Sequence, residues 1–381
     1  MCRPMPAPHP VLAPVPEIAA PPGGAKDAYF SNAKLILMVL VVCGHAWEPL
    51  LTGREGLLRS VYLAVYLLHM PAFVFVSGHL SRGFERRPRQ LRGLVTGLIA
   101  PYVLFSFLYA LVRWRTETPA FTWDLFDPWY LMWFLPALFV WRITAPIWRL
   151  VRFALPIAVL VSIGASLVPV PTVLDLGRIL QYLPFFVAGL VLEPRHLRAL
   201  RNRAVRLAAL AASCGVLAVV FAVAPHVSLR WGYFRYSRLV GDFGTNLSLK
   251  VGALAAAAVL VVTFLAWVPG RGRAWTALGE RTLYAYLLHG LVVRVLAGRT
   301  GFFEWADGRL GTFLVTLSAA ALALLLMTAP VSRMLRPIVQ PSLTWLFGHD
   351  PAPASRPGER RGPGGNGTTT STSSASPTTP R

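Results

Sequence analysis

Charge of either sign is scarce in this 381-residue sequence, acid is scarcer still, and there are three cysteines. Charged residues make up 14% against 55% hydrophobic, with mean hydropathy +0.54, which excludes a water-soluble globular chain. Acidic residues number 16 against 37 Lys and Arg. That excess alone is compatible with nucleic-acid binding, but the basic residues sit in short clusters between long apolar runs, as membrane topology requires, and no nucleic-acid partner is expected. Cys2, Cys43 and Cys214 are far apart with no CxxC spacing, so neither a disulfide framework nor a structural zinc is expected. HExxH, His/Asp clusters at ligand spacing, GxSxG, GxGxxG and P-loop patterns are missing, so no metal is expected. No period of about 20–50 residues marks a repeat architecture.

The ends differ from the middle. Residues 1–25 hold eight prolines and lack the apolar core of about 7–15 residues that a secretory leader needs. From about Asp350 the TTTSTSSASPTTP stretch offers too little apolar area to offset its ordering entropy. The expected organisation is a disordered Pro-rich tail over 1–28, a membrane domain over 29–336 and a C-terminal tail over 337–381, low in complexity from about 350.

A bilayer core about 30 Å thick takes about 20 apolar residues at 1.5 Å each. Ten runs qualify: Lys34–Leu51, Leu58–Leu80, Leu94–Val112, Trp129–Trp148, Phe153–Val170, Leu174–Leu192, Leu207–Ala224, Leu249–Val268, Thr282–Ala297 and Leu310–Val331. The fourth and sixth carry prolines and charges, which predicts kinks or re-entrant ends. With a cytoplasmic amino terminus, one side collects the Arg82–Arg92, Arg142–Arg152, Arg195–Arg206 and Arg271–Arg281 clusters, while the opposite loops, with Lys250 among them, hold far fewer cations. The fold class is all-α: a polytopic bundle of about ten transmembrane helices in the cell's inner (plasma) membrane, both termini cytoplasmic, with lipid as its principal partner.

Ionisable groups inside spans are costly, which makes them functional candidates. His45 lies deep in the first run. Lys34 precedes it by eleven positions, about three turns plus 20°, so both fall on one face about 16 Å apart, and Glu48 lies near the same face. A carboxylate bonded to one imidazole nitrogen would fix the tautomer and let the other take a proton from a hydroxyl. Spacing alone also allows Lys34 as a snorkelling anchor, His45 as an interhelical hydrogen bonder and Glu48 as a solvated group. His69 could line the cavity His45 faces, His79 reads as interfacial, and His289 with Arg294 one turn on could pin helices together. Cys43 points about 200° away from His45. The segment Arg230–Asp242, with Tyr233, Phe234 and Tyr236, could stack a sugar or form an interfacial aromatic belt.

AYFSNAKLILMVLVVCGHAWEPL resembles the first span of the integral-membrane acyltransferase 3 family, within it the fucose 4-O-acetylase-like branch, whose most characteristic motif is a basic residue, ten residues and a histidine. Here these are Lys34 and His45, with lysine in place of the more widespread arginine. HMPAFVFVSGHL, LIAPYVLFSF, WYLMWFLPALF, YLPFFVAGLVL and LGERTLYAYLLHGLVV resemble later family segments in the same order, covering about Tyr29 to Arg336. The chain departs at Ser31-Asn32, where relatives often carry aspartate, at RGLVTGLIA before Pro101-Tyr102, where many carry Arg-x-x-Arg (the nearest such pair being Arg89 and Arg92), and at Thr282, where serine is typical.

The resemblance implies transfer of an acyl group, most often acetyl from acetyl-CoA, to a hydroxyl of a carbohydrate or carbohydrate-bearing envelope molecule. It implies His45 as base or acyl carrier with Lys34 and Glu48 as catalytic partners, donor contacts from Lys34, Arg89 and Arg92, and acceptor contacts from His69, Ser77 and His289. The rival reading is a proton-coupled transporter or flippase for a glycan or lipid, in which buried histidines relay protons. A membrane-embedded regulator that has lost activity is a third.

Overall fold

The computed structural model describes residues 27–51, 56–229, 233–234, 243–306, 308–341 and 343–347. Most of both expected tails, Cys2 and Tyr236 lie outside the described residues. Residues 1–342 form one compact unit and 343–381 a second, of which only a short 3-10 turn, Thr344–Leu346, is described.

The first unit is all-helical among its described residues. In chain order the helices are α1 (Ala28–Trp47), α2 (Leu57–Leu80), α3 (Pro88–Leu94), α4 (Ala100–Thr116), α5 (Phe134–Leu150), α6 (Ala154–Leu167) and α7 (Leu176–Val191). There follow α8 (Pro194–Ala199), α9 (Arg203–Val223), α10 (Phe243–Trp267), α11 (Thr282–Arg299), α12 (Phe302–Trp305), α13 (Gly308–Leu326) and α14 (Ala329–Val339). A π-helical turn, Val95–Ile99, joins α3 to α4, immediately before Pro101, which has no N–H to continue a regular ladder. Among the described residues seven helices are long and apolar enough to cross a bilayer: α1 with its 3-10 extension to Leu51, α2, the α3–α4 rod, α7, α9, α10 and α13. The other three expected runs fall on α5, α6 and α11.

Among the differences from the sequence reading, three have a local cause. The fourth run does not begin as helix: Trp129–Trp133 forms a turn in which Tyr130 takes φ 61°, and α5 starts at Phe134. The sixth starts late because Leu174 and Asp175 are both left-handed. The tenth breaks before Pro330, where α14 begins. Lys250, assigned above to a loop, lies within α10 and is buried, donating to Gln181 Oε1 at 3.1 Å with its ammonium 4.2 Å from the Phe234 ring centre.

Helix α2 is the axis of the bundle: 67% of its apolar window is buried, against 11% for α9 and 22% for α13, which present Leu210, Val219, Leu317 and Leu325 outward. Lipid tails are as apolar as leucine, so close packing must hold the interior. Gly78 on α2 and Gly189 on α7 supply it, since a Cβ on Gly78 would overlap the Phe186 carbonyl oxygen and one on Gly189 the Phe75 carbonyl oxygen. Polar pairs tie the periphery: Ser213 and Thr263 hydroxyls meet at 2.7 Å between α9 and α10, and Arg206 stacks 4.0 Å over Trp267.

Candidate active site

Helix α1 begins at Asp27, whose carboxylate caps the Tyr29 N–H at 3.0 Å. Asn32 then fastens the segment between α10 and α11 to this end of the bundle. Its amide donates to the Pro269 and Arg271 carbonyls at 2.8 and 3.1 Å and accepts from the Thr276 hydroxyl at 2.8 Å. Asn32 thus uses both halves of its amide.

Further along α1, Lys34, Met38, Val41 and His45 follow at i, i+4, i+7 and i+11 and share one face. Lys34 is half-buried near the start of the helix. Met38 and Val41, with Phe73, Phe134 and Tyr286, line a narrow apolar shaft of about 30 Å³ that reaches His45. The Tyr286 hydroxyl donates to the Leu131 carbonyl and so leaves the shaft apolar. Cys43 points the other way, its Sγ 3.8 Å from the Thr316 carbonyl oxygen on α13.

His45 also lines a second, wider cavity of about 340 Å³ at the far end of α1. Glu48 follows one turn later, in the 3-10 extension, and its Oε1 lies 3.2 Å from His45 Nδ1. The same oxygen accepts from the hydroxyls of Tyr66 at 2.9 Å and Tyr62 at 3.2 Å. Tyr62 pairs in turn with the Tyr233 hydroxyl at 2.6 Å. Burial pushes the Tyr233 phenol up to about 12, so at neutral pH it retains its proton. A carboxylate with three donors on one oxygen is held in a fixed place, and a proton on Nδ1 directed at it leaves the lone pair on Nε2.

Two further histidines flank this pair. His69 Nδ1 meets the Val65 carbonyl at 2.6 Å and His289 Nδ1 the Ala285 carbonyl at 2.7 Å, each one turn back on its own helix. A carbonyl can only accept, so both rings carry their proton on Nδ1 and leave a bare, buried Nε2, which has no hydrogen-bond partner among the described residues. Both side chains are fully buried, and the His289 ring lies 5.4 Å from that of His45.

The remaining walls are aromatic and cationic. Trp133 stacks on Tyr182 at 5.3 Å, and the Arg178 guanidinium sits 4.9 Å over Trp133 while bridging Asp175 at 3.0 Å. Tyr130 packs 4.8 Å from His45; its left-handed backbone costs about 1–3 kcal/mol, a strain that clusters at functional sites. Arg113 and Arg294 both face Trp129.

The structure thus gathers His45, Glu48 and His69 on the wide cavity, with His289 buried behind His45 and lining neither cavity. Ser77, eight residues beyond His69 on α2, is buried beside α7 and lines neither cavity. Lys34 lies three turns from His45, and Arg89 and Arg92, on α3, also line neither cavity. Tyr62, Tyr66 and His69 fall at i, i+4 and i+7, a stripe the sequence displayed and the reading passed over; Arg178 and Tyr182 form a second such pair. Tyr130 had no sequence signal.

Residues 27–330 match the family model described as an acyltransferase domain, and the chain belongs to that family, the acyltransferase 3 family. It is a membrane-embedded acyltransferase of O-acetyltransferase type. Among its relatives is the nodulation protein NolL of Sinorhizobium fredii (strain NBRC 101917 / NGR234), 28% identical over 338 residues, 78% of this chain and 86% of the relative. A second is the nodulation protein NolL of Mesorhizobium japonicum (strain LMG 29417 / CECT 9101 / MAFF 303099), 37% identical over 71 residues, 18% of this chain and 19% of the relative. No solved structure matches the chain. Among the described residues no three His, Cys, Asp or Glu side chains are grouped to hold a metal ion.

Proposed function

We propose that this acyltransferase moves an acetyl group from acetyl-CoA to a hydroxyl of a carbohydrate or glycosylated envelope molecule, as in the fucose 4-O-acetylase-like branch. On this reading it lies in the plasma membrane with the Lys34 end facing the cytoplasm. The observation that carries the reading is the His45–Glu48 pair, 3.2 Å apart, on the wall of a cavity of about 340 Å³ with tryptophan and tyrosine sides. Cavities of roughly 300–1,000 Å³ take small-molecule ligands, and aromatic faces suit the apolar faces of sugar rings.

In the reaction the acceptor oxygen attacks the thioester carbonyl while His45 Nε2 takes its proton. Glu48 stabilises the imidazolium that forms. As the tetrahedral adduct collapses, the carbon–sulfur bond breaks and the imidazolium returns the proton to the CoA sulfur, leaving His45 neutral. The bare Nε2 of His69, a residue of the cavity wall, accepts a neighbouring hydroxyl of the acceptor. Lys34, with Arg89 and Arg92, meets the CoA phosphates on the cytoplasmic side, and the small apolar shaft beside Met38 and Val41 adjoins His45.

The test is acyl transfer from radiolabelled acetyl-CoA by membranes carrying the chain or its His45→Ala variant. A drop of about 10²–10⁴-fold with unchanged membrane insertion is expected for loss of a general base. Full turnover by the variant removes His45 from the chemistry, and glycan movement without acyl turnover favours a transporter.

A further inference from the structure

The proposed reaction leaves two cavity groups without work. Arg113 and Arg294, from the ends of α4 and α11, converge on one indole: their guanidinium carbons lie 5.6 and 5.0 Å from the Trp129 ring centre. Both line the wide cavity. Arg294 also stacks 4.1 Å over Tyr130, the ring against which His45 packs at 4.8 Å, so guanidinium and imidazole stand within about 9 Å of each other.

Like charges brought together against an aromatic wall repel unless an anion joins them. The carboxylates on hand satisfy them only in part. Glu117 bridges Arg294 at 3.1 Å, from a half-exposed position a ligand can displace, and the Arg294 Nε has no hydrogen-bond partner among the described residues. Arg113 forms no ion pair with any described residue; its recorded partner is the Trp129 face. Asp127 also lines the cavity but stands exposed at its rim. Glu48 is committed to His45 and two tyrosines. Arg178, the third cavity guanidinium, is matched by Asp175. A guanidinium held flat on a ring has its N–H edge directed for bidentate binding of planar or tetrahedral oxyanions.

We infer that the acceptor is an acidic saccharide, whose carboxylate or phosphate binds Arg113 and Arg294 against Trp129 while a hydroxyl of the same or the adjoining sugar reaches His45 Nε2. A pyranose ring spans about 5 Å, so a separation of up to about 9 Å corresponds to one or two sugar units. The inference rests on the acyltransferase reading for its second half; the anion site stands on its own geometry.

The test measures binding first and turnover second, on the full chain in detergent. Saturation-transfer NMR titrations with glucuronate, glucose 6-phosphate and methyl glucoside separate carboxylate, phosphate and neutral sugar. The expected result is at least tenfold tighter binding of one or both acids than of methyl glucoside, weakened by added salt, with the advantage lost in both Arg113→Gln and Arg294→Gln. Equal binding of methyl glucoside, or acids held undiminished by both variants, overturns the proposal. The same sugars are then offered with radiolabelled acetyl-CoA. Acetylation of the neutral sugar in preference to either acid overturns the acidic-acceptor assignment while leaving the acyltransferase reading intact. Tight, arginine-dependent binding of the acids with no acetyl transfer to any sugar leaves the anion site standing and removes the reading it serves.

Discussion

Oε1 of Glu48 and Nδ1 of His45 lie 3.2 Å apart, one turn from each other across the end of α1. Two tyrosine hydroxyls from α2 hold the same oxygen. Glu48→Gln keeps the shape but trades a charged hydrogen bond for a neutral one, a difference of about 1–1.5 kcal/mol. A fall in kcat/KM of roughly tenfold is expected, smaller than for His45→Ala, and acetyl-transfer rates of the two variants measured side by side check the ranking.

Lys34 sits on the His45 face but three turns away, so its work is expected in donor binding rather than in the proton step. Lys34→Ala should raise KM for acetyl-CoA by roughly tenfold or more, the value of a charged hydrogen bond, with a smaller effect on kcat. Lys34→Arg should be tolerated. Equal KM in all three versions would make the cation a topological anchor only.

Asn32 donates to two carbonyls and accepts from Thr276. An aspartate cannot donate when ionised, so Asn32→Asp should leave the Pro269 and Arg271 carbonyls facing a negative oxygen. Each unmade bond costs about 1–3 kcal/mol. A lower unfolding temperature in detergent, together with faster proteolysis between α10 and α11, is the expected outcome.

Gly189 and Gly78 let α2 and α7 approach backbone to backbone. Gly189→Val must push the helices apart, beyond the 1–3 kcal/mol typical of overpacking. Loss of monodisperse protein after extraction is expected, whereas the same change at Gly215, where a Cβ meets nothing within 4 Å, should be silent.

Much of this was legible in the sequence because helix geometry is local. The Lys34–His45 register, the placing of Glu48 near His45 and the turn of Cys43 away from His45 all follow from 100° per residue and 1.5 Å of rise. So did the helical runs, since lipid admits few alternatives. What escaped depends on chain returning from a distance. Arg113, Trp133 and Arg178 come from three separate segments, and only the folded bundle sets them round one cavity. Tyr130 adopts its left-handed backbone because its surroundings hold it there, which no propensity foretells. Ser77 belongs to the right helix at the wrong depth, since eight residues carry it about 12 Å from His69.

The alignment of Lys34, Met38, Val41 and His45 along α1 makes that stretch a ruler with angular as well as linear graduations. One alanine inserted after Val39 would lengthen it by only about 1.5 Å yet twist everything downstream by about 100°, carrying imidazole and carboxylate together away from the α2 tyrosines and out of both hollows. The interval between cation and imidazole therefore tolerates no change of even one residue.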